Sequence, residues 1–253
     1  MESIPGSGAT GDARMPFLGH LEELRSCLIK CLVAVIVAFL VTFAFAENIF
    51  AFLTAPLRAL EAPGLSMIGT GIPEAFFVKI KVAFVASIFL SLPVILWQIW
   101  RFVAPGLYTH EVRYARGFVF FGTLFFLAGA WFCYEVIFNV GFAFLLKTYE
   151  SMEVEPAIRI GEYLSFASKL LLAFGVVFEL PVFAFFLARI GLIDHLFLIR
   201  QFRYALIVIF ALSAILTPPD VVSQILLALP LTALYAVSIG VAYFARKKDR
   251  DED

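Results

Sequence analysis

The sequence predicts an all-α polytopic membrane protein with six transmembrane helices in a concave, cupped bundle. Three observations carry that expectation. Apolar residues make up 62% of the 253 and charged residues 15%, which leaves a soluble domain of this size too little polar surface to cover itself. Apolar runs are bounded by charge: Lys81 and Arg101 enclose nineteen residues, and so do Lys169 and Arg189. At 1.5 Å per residue such a run reaches about 28 Å, close to the hydrocarbon thickness of a bilayer. Finally, the second run holds a single ionisable residue, Glu179, with nine apolar residues on either side. A carboxylate at that depth costs about 3 kcal/mol or more and should face protein or water rather than lipid. Pro181 cannot donate to the carbonyl of Val177, so a kink is expected beside the acid.

Residues 1–14, rich in Gly, Ser and Asp, contain no apolar core and read as a disordered tail rather than a cleaved signal. In 15–26, Phe17, Leu21 and Leu24 recur at helical spacing opposite His20, Glu22, Glu23 and Arg25, with Pro16 at the first turn. That pattern predicts a short amphipathic helix lying at the membrane interface. Span one is expected over 27–46. The stretch 47–75 mixes Pro56, Pro63, Gly64 and Pro73 with Ile49, Phe50, Phe52 and Leu53, which suits an amphipathic cap helix followed by a structured loop. Span two, 76–101, should kink at Pro93 and end in an aromatic belt at Trp97 and Trp100. A loop, 102–116, is broken at Pro105-Gly106. Span three, 117–138, continues as a helix past Glu135 toward a second outer loop, 139–162.

Span four is 163–189, followed by a connector, 190–203. Span five, 204–216, is unusual, because Arg203 and Thr217 enclose only thirteen residues, roughly 20 Å of helix. Span six, 221–245, should start at an Asp220 cap, carry Gln224 and break near Pro230. A short final pair would thin the bilayer locally. The charged stretch 246–253 forms a second tail.

With six spans both termini share a side. Thirteen of the nineteen Lys and Arg fall on that side, and six fall on the other: Arg58, Lys79, Lys81, Lys147, Arg159 and Lys169. The bias places both termini in the cytoplasm. Net charge is −1, which argues against nucleic acid. There is no GxxxxGK[ST], GxSxG or HExxH, so neither a nucleotide-driven step nor a catalytic residue is expected. The three cysteines are an odd set; Cys27 and Cys31, one helical turn apart with no His or third Cys near, suit helix packing better than a metal, and no cofactor is expected. The acids at the cytoplasmic rim, Glu22, Glu23 and Glu111, either pair locally with Arg25, Arg113 or Arg116, or form a carboxylate surface that accepts guanidinium groups, which match carboxylates in a bidentate way.

GHLEELRSCL ahead of an apolar span is similar to the amino-terminal signature of the TatC family, the receptor subunits of twin-arginine protein translocases. Further blocks follow in order: TAPL from Thr54, PEAFFVKIK from Pro73, LPVILWQIWRFVAPGLYTHE from Leu92, YLSFASKLLLAFGVVFELPV from Tyr163 and LTPPDVVSQILLALP from Leu216. Trp97 stands where the family more often has Tyr, and Val112 follows Glu111 instead of a basic run. The resemblance implies that Glu23 and Glu111 bind the paired arginines of signal peptides on folded precursors, with Phe102 and Pro105 shaping that site. It implies that Pro56 supports the outer cap, that Glu179 is a polar contact for partner helices in a groove, and that Asp220 and Gln224 flank a partner-docking edge. It further implies TatA- and TatB-type partners in a multi-subunit complex, a bacterial inner-membrane location and export driven by the proton gradient. Two other readings of Glu179 remain open: a proton or ion site in a small-molecule secondary transporter, and a hydrogen bond to a neighbouring helix with no further role.

Overall fold

The computed structural model describes residues 14–60, 66–103, 112–189, 191–217 and 220–245. In chain order the elements are α1 (Arg14–Ala44), α2 (Ala46–Arg58), β1 (Ser66–Ile68), α3 (Glu74–Val103), α4 (Val112–Phe132), a π-helical turn (Cys133–Ile137), α5 (Phe138–Ser151), β2 (Ala157–Arg159), α6 (Ile160–Phe178), α7 (Leu180–Arg189), α8 (His195–Leu216) and α9 (Val221–Ala245). Among these, six segments are long and apolar enough to cross a membrane: Leu21–Ala44, Glu74–Phe102, Arg116–Ser151, Ile160–Arg189, His195–Leu216 and Val221–Ala245.

The segment Ile160–Arg189 is the centre of the packing. Half of its apolar window is buried, against 17% for Leu21–Ala44 and 11% for His195–Leu216. Leu164, Ala167 and Phe174 of α6 are fully enclosed, packed with Val82 of α3 and with Cys133 and Phe138 at the π turn. α4 comes so close to α6 that a methyl group on Gly129 would stand 2.6 Å from the carbonyl oxygen of Phe174, and one on Gly175 would stand 2.6 Å from the Phe126 ring. Small residues at a helix interface permit such approach where lipid offers no hydrophobic drive to association. At the Arg101 end of α3, Trp100, Phe118 and Phe186 pack at 5.0–5.5 Å between centroids and tie α3, α4 and α7 together. α7 and α9 meet through Ala184, Ala188, Ala242 and Ala245.

α1 lies against α3 and leaves Leu28, Leu32, Val33, Ile36 and Leu40 exposed. Cys27, Ala38 and Thr42 are buried on α1, and Ala83, Ser87 and Ser91 on α3. The Thr42 hydroxyl donates to the Ala83 carbonyl at 2.8 Å and fixes the register of the pair. Cys27 is therefore a small seam residue, and all three cysteines are free.

Several boundaries differ from the sequence reading. No break separates 15–26 from 27–46: α1 is one helix, because no Gly or Pro interrupts it between Gly19 and Ala44. α9 runs through Pro230 without the expected break, and α3 is continuous through Pro93. The outer loop expected over 139–162 is helical to Ser151, and the connector expected over 190–203 is helical from His195, where the Asp194 carboxylate caps the Phe197 amide at 2.6 Å. α8 and α9 are 22 and 25 residues long, so the shortness expected of the last pair has no counterpart in helix length. The cap region 47–75 also holds β1, which pairs in parallel with β2 through Ser66–Ala157, Met67–Ile158 and Ile68–Arg159. The tails 1–13 and 246–253 lie outside the described residues.

Candidate functional site

The kink expected at Pro181 is present. α6 ends at Phe178, the Glu179 amide bonds back only three residues to Val176 at 3.1 Å, and the helix resumes as α7 from Leu180. The break falls there because Pro181 has no N–H to give to Val177. It turns the Glu179 side chain into the junction of α3, α4 and α7. The carboxylate is 4% exposed. Gly122 of α4 makes room for it: a methyl group there would lie 3.0 Å from one Glu179 oxygen and 2.9 Å from Leu96 of α3. Neither oxygen has a hydrogen-bond partner among the described residues, so a plain structural hydrogen bond to a neighbouring helix does not account for the acid.

Glu179 is enclosed where α3, α4 and α7 meet. Two apolar clefts run along α3 and α4. One of about 500 Å³ lies between α2, α3 and α4 and is walled by Phe52, Val85, Phe89, Leu127, Trp131 and Tyr134. The other, about 460 Å³, lies between Pro93, Trp97, Arg116, Phe120 and Leu127. Glu179 borders neither. The physical reason is the cost of a carboxylate against lipid, which is reduced by turning it into a protein junction.

Of the four residues expected to read arginines, Glu23 and Phe102 are described, and Pro105 and Glu111 lie outside the described residues. Glu23 is exposed on α1, as are Glu22 and Arg25. Phe102 is half-buried near the end of α3. The register of the α1–α3 pair brings these two to one level. The outer end of α1, at Thr42 and Phe43, meets the first turns of α3, at Ala83 and Lys79, so the helices run antiparallel. Both rise about 1.5 Å per residue; Glu23 stands as far back along α1 from Thr42 as Phe102 stands onward along α3 from Ala83.

Pro56 sits buried inside α2, and two phenols secure that helix. Tyr134 donates to the Phe52 carbonyl at 2.9 Å, and Tyr163 donates to the Leu53 carbonyl at 2.7 Å. Sequence reasoning missed both tyrosines; the available signal was a proline in α2 with an apolar stripe around it, which leaves one carbonyl in need of a donor. Glu74 was missed too. Its carboxylate accepts from the Thr70 and Gly71 amides and from the Gly161 amide at 3.1 Å, so it clasps the β1 loop to the first turn of α6.

Asp220 caps α9, as expected, by accepting from the Ser223 amide at 2.7 Å. Ser223 draws its pKa below the usual carboxylate value. Gln224 donates across the hairpin to the Phe210 carbonyl of α8 at 3.0 Å, so it ties α8 to α9 in this chain. Among the described residues no group of three or more His, Cys, Asp or Glu side chains is placed to hold a metal ion.

The chain matches the family model described as Sec-independent protein translocase protein (TatC) over residues 19–230. It is 44% identical over 244 residues to the Sec-independent protein translocase protein TatC of Desulforapulum autotrophicum, covering 96% of this chain and 90% of that one. It is likewise 44% identical over 235 residues to the Campylobacter jejuni protein of the same name, covering 92% and 96%. A crystal structure of the twin arginine translocase receptor TatC superposes with a TM-score of 0.81 at 34% identity, covering 89% of this chain and 99% of that one.

Proposed function

The chain belongs to the TatC family of Sec-independent protein translocase proteins, a multi-pass and non-enzymatic membrane component of protein transport, and from that premise we propose that it captures twin-arginine signal peptides with Glu23 and Glu111. The peptides arrive on folded precursors at the cytoplasmic face of a bacterial inner membrane. Each carboxylate takes one guanidinium, and Phe102 and Pro105 shape the surface between them. The apolar part of the signal lies along the bundle. TatA- and TatB-type subunits assemble on the same chain, and the proton gradient supplies the energy.

The observation that carries this reading is the α1–α3 register. It sets Glu23 level with Phe102, and nine residues of chain lead from Phe102 to Glu111. Two acids can thus serve one short peptide. Glu179 is the polar contact for partner helices in this reading. Because it is enclosed here, a partner reaches it when the bend between α6 and α7 opens.

A photocrosslinker placed beside Glu111 tests arginine capture. A signal peptide with RR should crosslink, and the KK version should crosslink far less, since lysine gives a point charge where arginine gives a planar fork. Glu23→Gln and Glu111→Gln should each reduce the RR adduct by about tenfold or more, the value of one charge-assisted hydrogen bond. Equal capture of RR and KK, or unchanged capture by both variants, rejects the reading.

A further inference from the structure

We infer that Lys81, Lys169 and Ser165 form a binding site for the phosphodiester of an anionic phospholipid in the leaflet opposite the arginine-reading face. The inference does not rest on signal-peptide binding.

Six basic residues face that side in the sequence-derived topology. Two of them have carboxylate partners: Lys79 bonds Glu47 at 2.9 Å, and Arg159 bonds Glu162 at 3.2 Å. Lys81 and Lys169 pair with no carboxylate among the described residues, although both lie on membrane-spanning helices. Lysines near the ends of spans carry their ammonium groups to the headgroup level.

The two lysines share one patch. α3 and α6 start side by side, joined where Glu74 accepts from the Gly161 amide. One step deeper, the Lys81 ammonium donates to the Ser165 hydroxyl at 2.6 Å. Ser165 in turn donates to the Gly161 carbonyl, so its lone pairs and not its proton face the ammonium. Lys169 follows Ser165 by one helical turn on the same face of α6, within reach of a ligand bound at Ser165. Lys81 and Lys169 are both exposed, one bonded to Ser165 and the other one turn along from it on α6. Glu162, the acid on the same face, is engaged by Arg159.

Depth identifies the ligand. Lys169 precedes Glu179 by ten residues and Ser165 by fourteen, which sets the ammonium groups about 15–20 Å from the level of Glu179. That is where a hydrocarbon core about 30 Å thick gives way to phosphates. Below the lysines, Phe84 and Val176 are exposed and continue the face as an apolar track suited to acyl chains. Basic pockets between transmembrane helices recognise lipid headgroups by this combination of paired cations and an apolar floor.

The full chain in phosphatidylcholine nanodiscs carrying a minor fraction of phosphatidylglycerol provides the test, with native mass spectrometry counting retained lipid. Wild-type protein should retain phosphatidylglycerol over phosphatidylcholine. Lys169→Gln, which breaks no side-chain hydrogen bond among the described residues, should lower that preference about fivefold, and Lys81→Gln with Lys169→Gln about thirtyfold. Lys81→Arg with Lys169→Arg should retain it, and Lys147→Gln, on the same side of the membrane, should leave it unchanged. Inorganic phosphate added to pure phosphatidylcholine discs should not bind. Loss of preference in Lys147→Gln equal to that in Lys169→Gln, full preference in Lys169→Gln, no preference in wild type, or binding of free phosphate would each overturn the inference.

Discussion

The Tyr134 hydroxyl donates at 2.9 Å to the carbonyl of Phe52, four residues before Pro56. Proline lacks the N–H that would otherwise bond that carbonyl, so the tyrosine supplies from α2's neighbour what α2 cannot supply itself. Tyr134 sits in the π-helical turn, and its ring also stacks on Phe52 at 4.4 Å with an interplanar angle of 2°.

This relationship predicts coupling between Tyr134 and Pro56. Tyr134→Phe keeps the stack and removes only the donor, and should lower stability in detergent by about 1 kcal/mol. In a Pro56→Ala background the new amide can bond the Phe52 carbonyl, so the same change should have less than half that effect. A double-mutant cycle on thermal unfolding reads the coupling directly. Equal losses in both backgrounds would show that the phenol does not serve the carbonyl left by Pro56.

The glycines should rank by what surrounds them. Gly129→Ala meets a backbone oxygen at 2.6 Å, which cannot swing away, and Gly175→Ala meets the Phe126 ring at 2.6 Å. Each should destabilise by about 1–3 kcal/mol, Gly129→Ala more. Gly141 and Gly240 have nothing within 4 Å of an added methyl, so alanine there should be neutral or stabilise by up to about 1 kcal/mol. Melting temperatures of the four variants check the order, and Phe126→Leu should recover part of the Gly175→Ala loss but none of the Gly129→Ala loss.

What the sequence made legible follows from how local each signal is. Hydropathy and bounding charges locate the spans, since transfer from water depends on a contiguous run. The bend at Glu179 is readable because Pro181 removes a bond four residues away. The continuity of α1 past Arg25 was hidden by an amphipathic pattern that an interfacial helix and the end of a span share. Pro230 suggested a break, but its helix runs on, since helix packing in a membrane can re-satisfy a freed carbonyl. The pairing of Ser66–Ile68 with Ala157–Arg159 joins two three-residue strands far apart in sequence, below the length at which alternation is detectable. The burial of Glu179 beneath Gly122 depends on three helices meeting, which no single run encodes.

Glu179 should trade stability against assembly. Its carboxylate is enclosed and has no hydrogen-bond partner among the described residues, so Glu179→Leu should stabilise the isolated chain by about 1–3 kcal/mol. The same variant should lose co-purification with TatA- and TatB-type subunits, because a partner helix would find no polar group. Both quantities are measurable on one preparation, by thermal unfolding and by affinity pull-down. A destabilised Glu179→Leu with undiminished assembly would show the acid to be a structural element of this chain alone.

Asp220 should give α9 a pH-dependent start. The Ser223 side chain and amide lower its pKa in the folded chain. A depressed carboxylate contributes stability above its unfolded pKa, and loses that contribution as pH falls through the folded value. Asp220→Ala should therefore lose about 1 kcal/mol at neutral pH, and the difference from wild type should shrink as the medium becomes more acidic than the ordinary carboxylate range. Asp220→Asn caps without titrating, so its melting temperature should vary less over that interval. A constant gap between wild type and Asp220→Ala down to strongly acid pH would exclude a capping carboxylate.

Glu74 is the only described side chain that holds β1's loop, α3 and α6 at once, through Thr70, Gly71 and Gly161. The strands it steadies are three residues each and cannot persist alone, so the clasp and the Tyr163 anchor on Leu53 share the task of ordering the outer face. Glu74→Ala should leave the spans packed, because their contacts lie deeper, and should speed amide exchange at 66–71 and 157–161 without changing it in 164–178. Hydrogen exchange with peptide resolution distinguishes the two regions. Faster exchange throughout α6 would mean instead that the carboxylate supports the central helix and that the outer face and the bundle open as one unit.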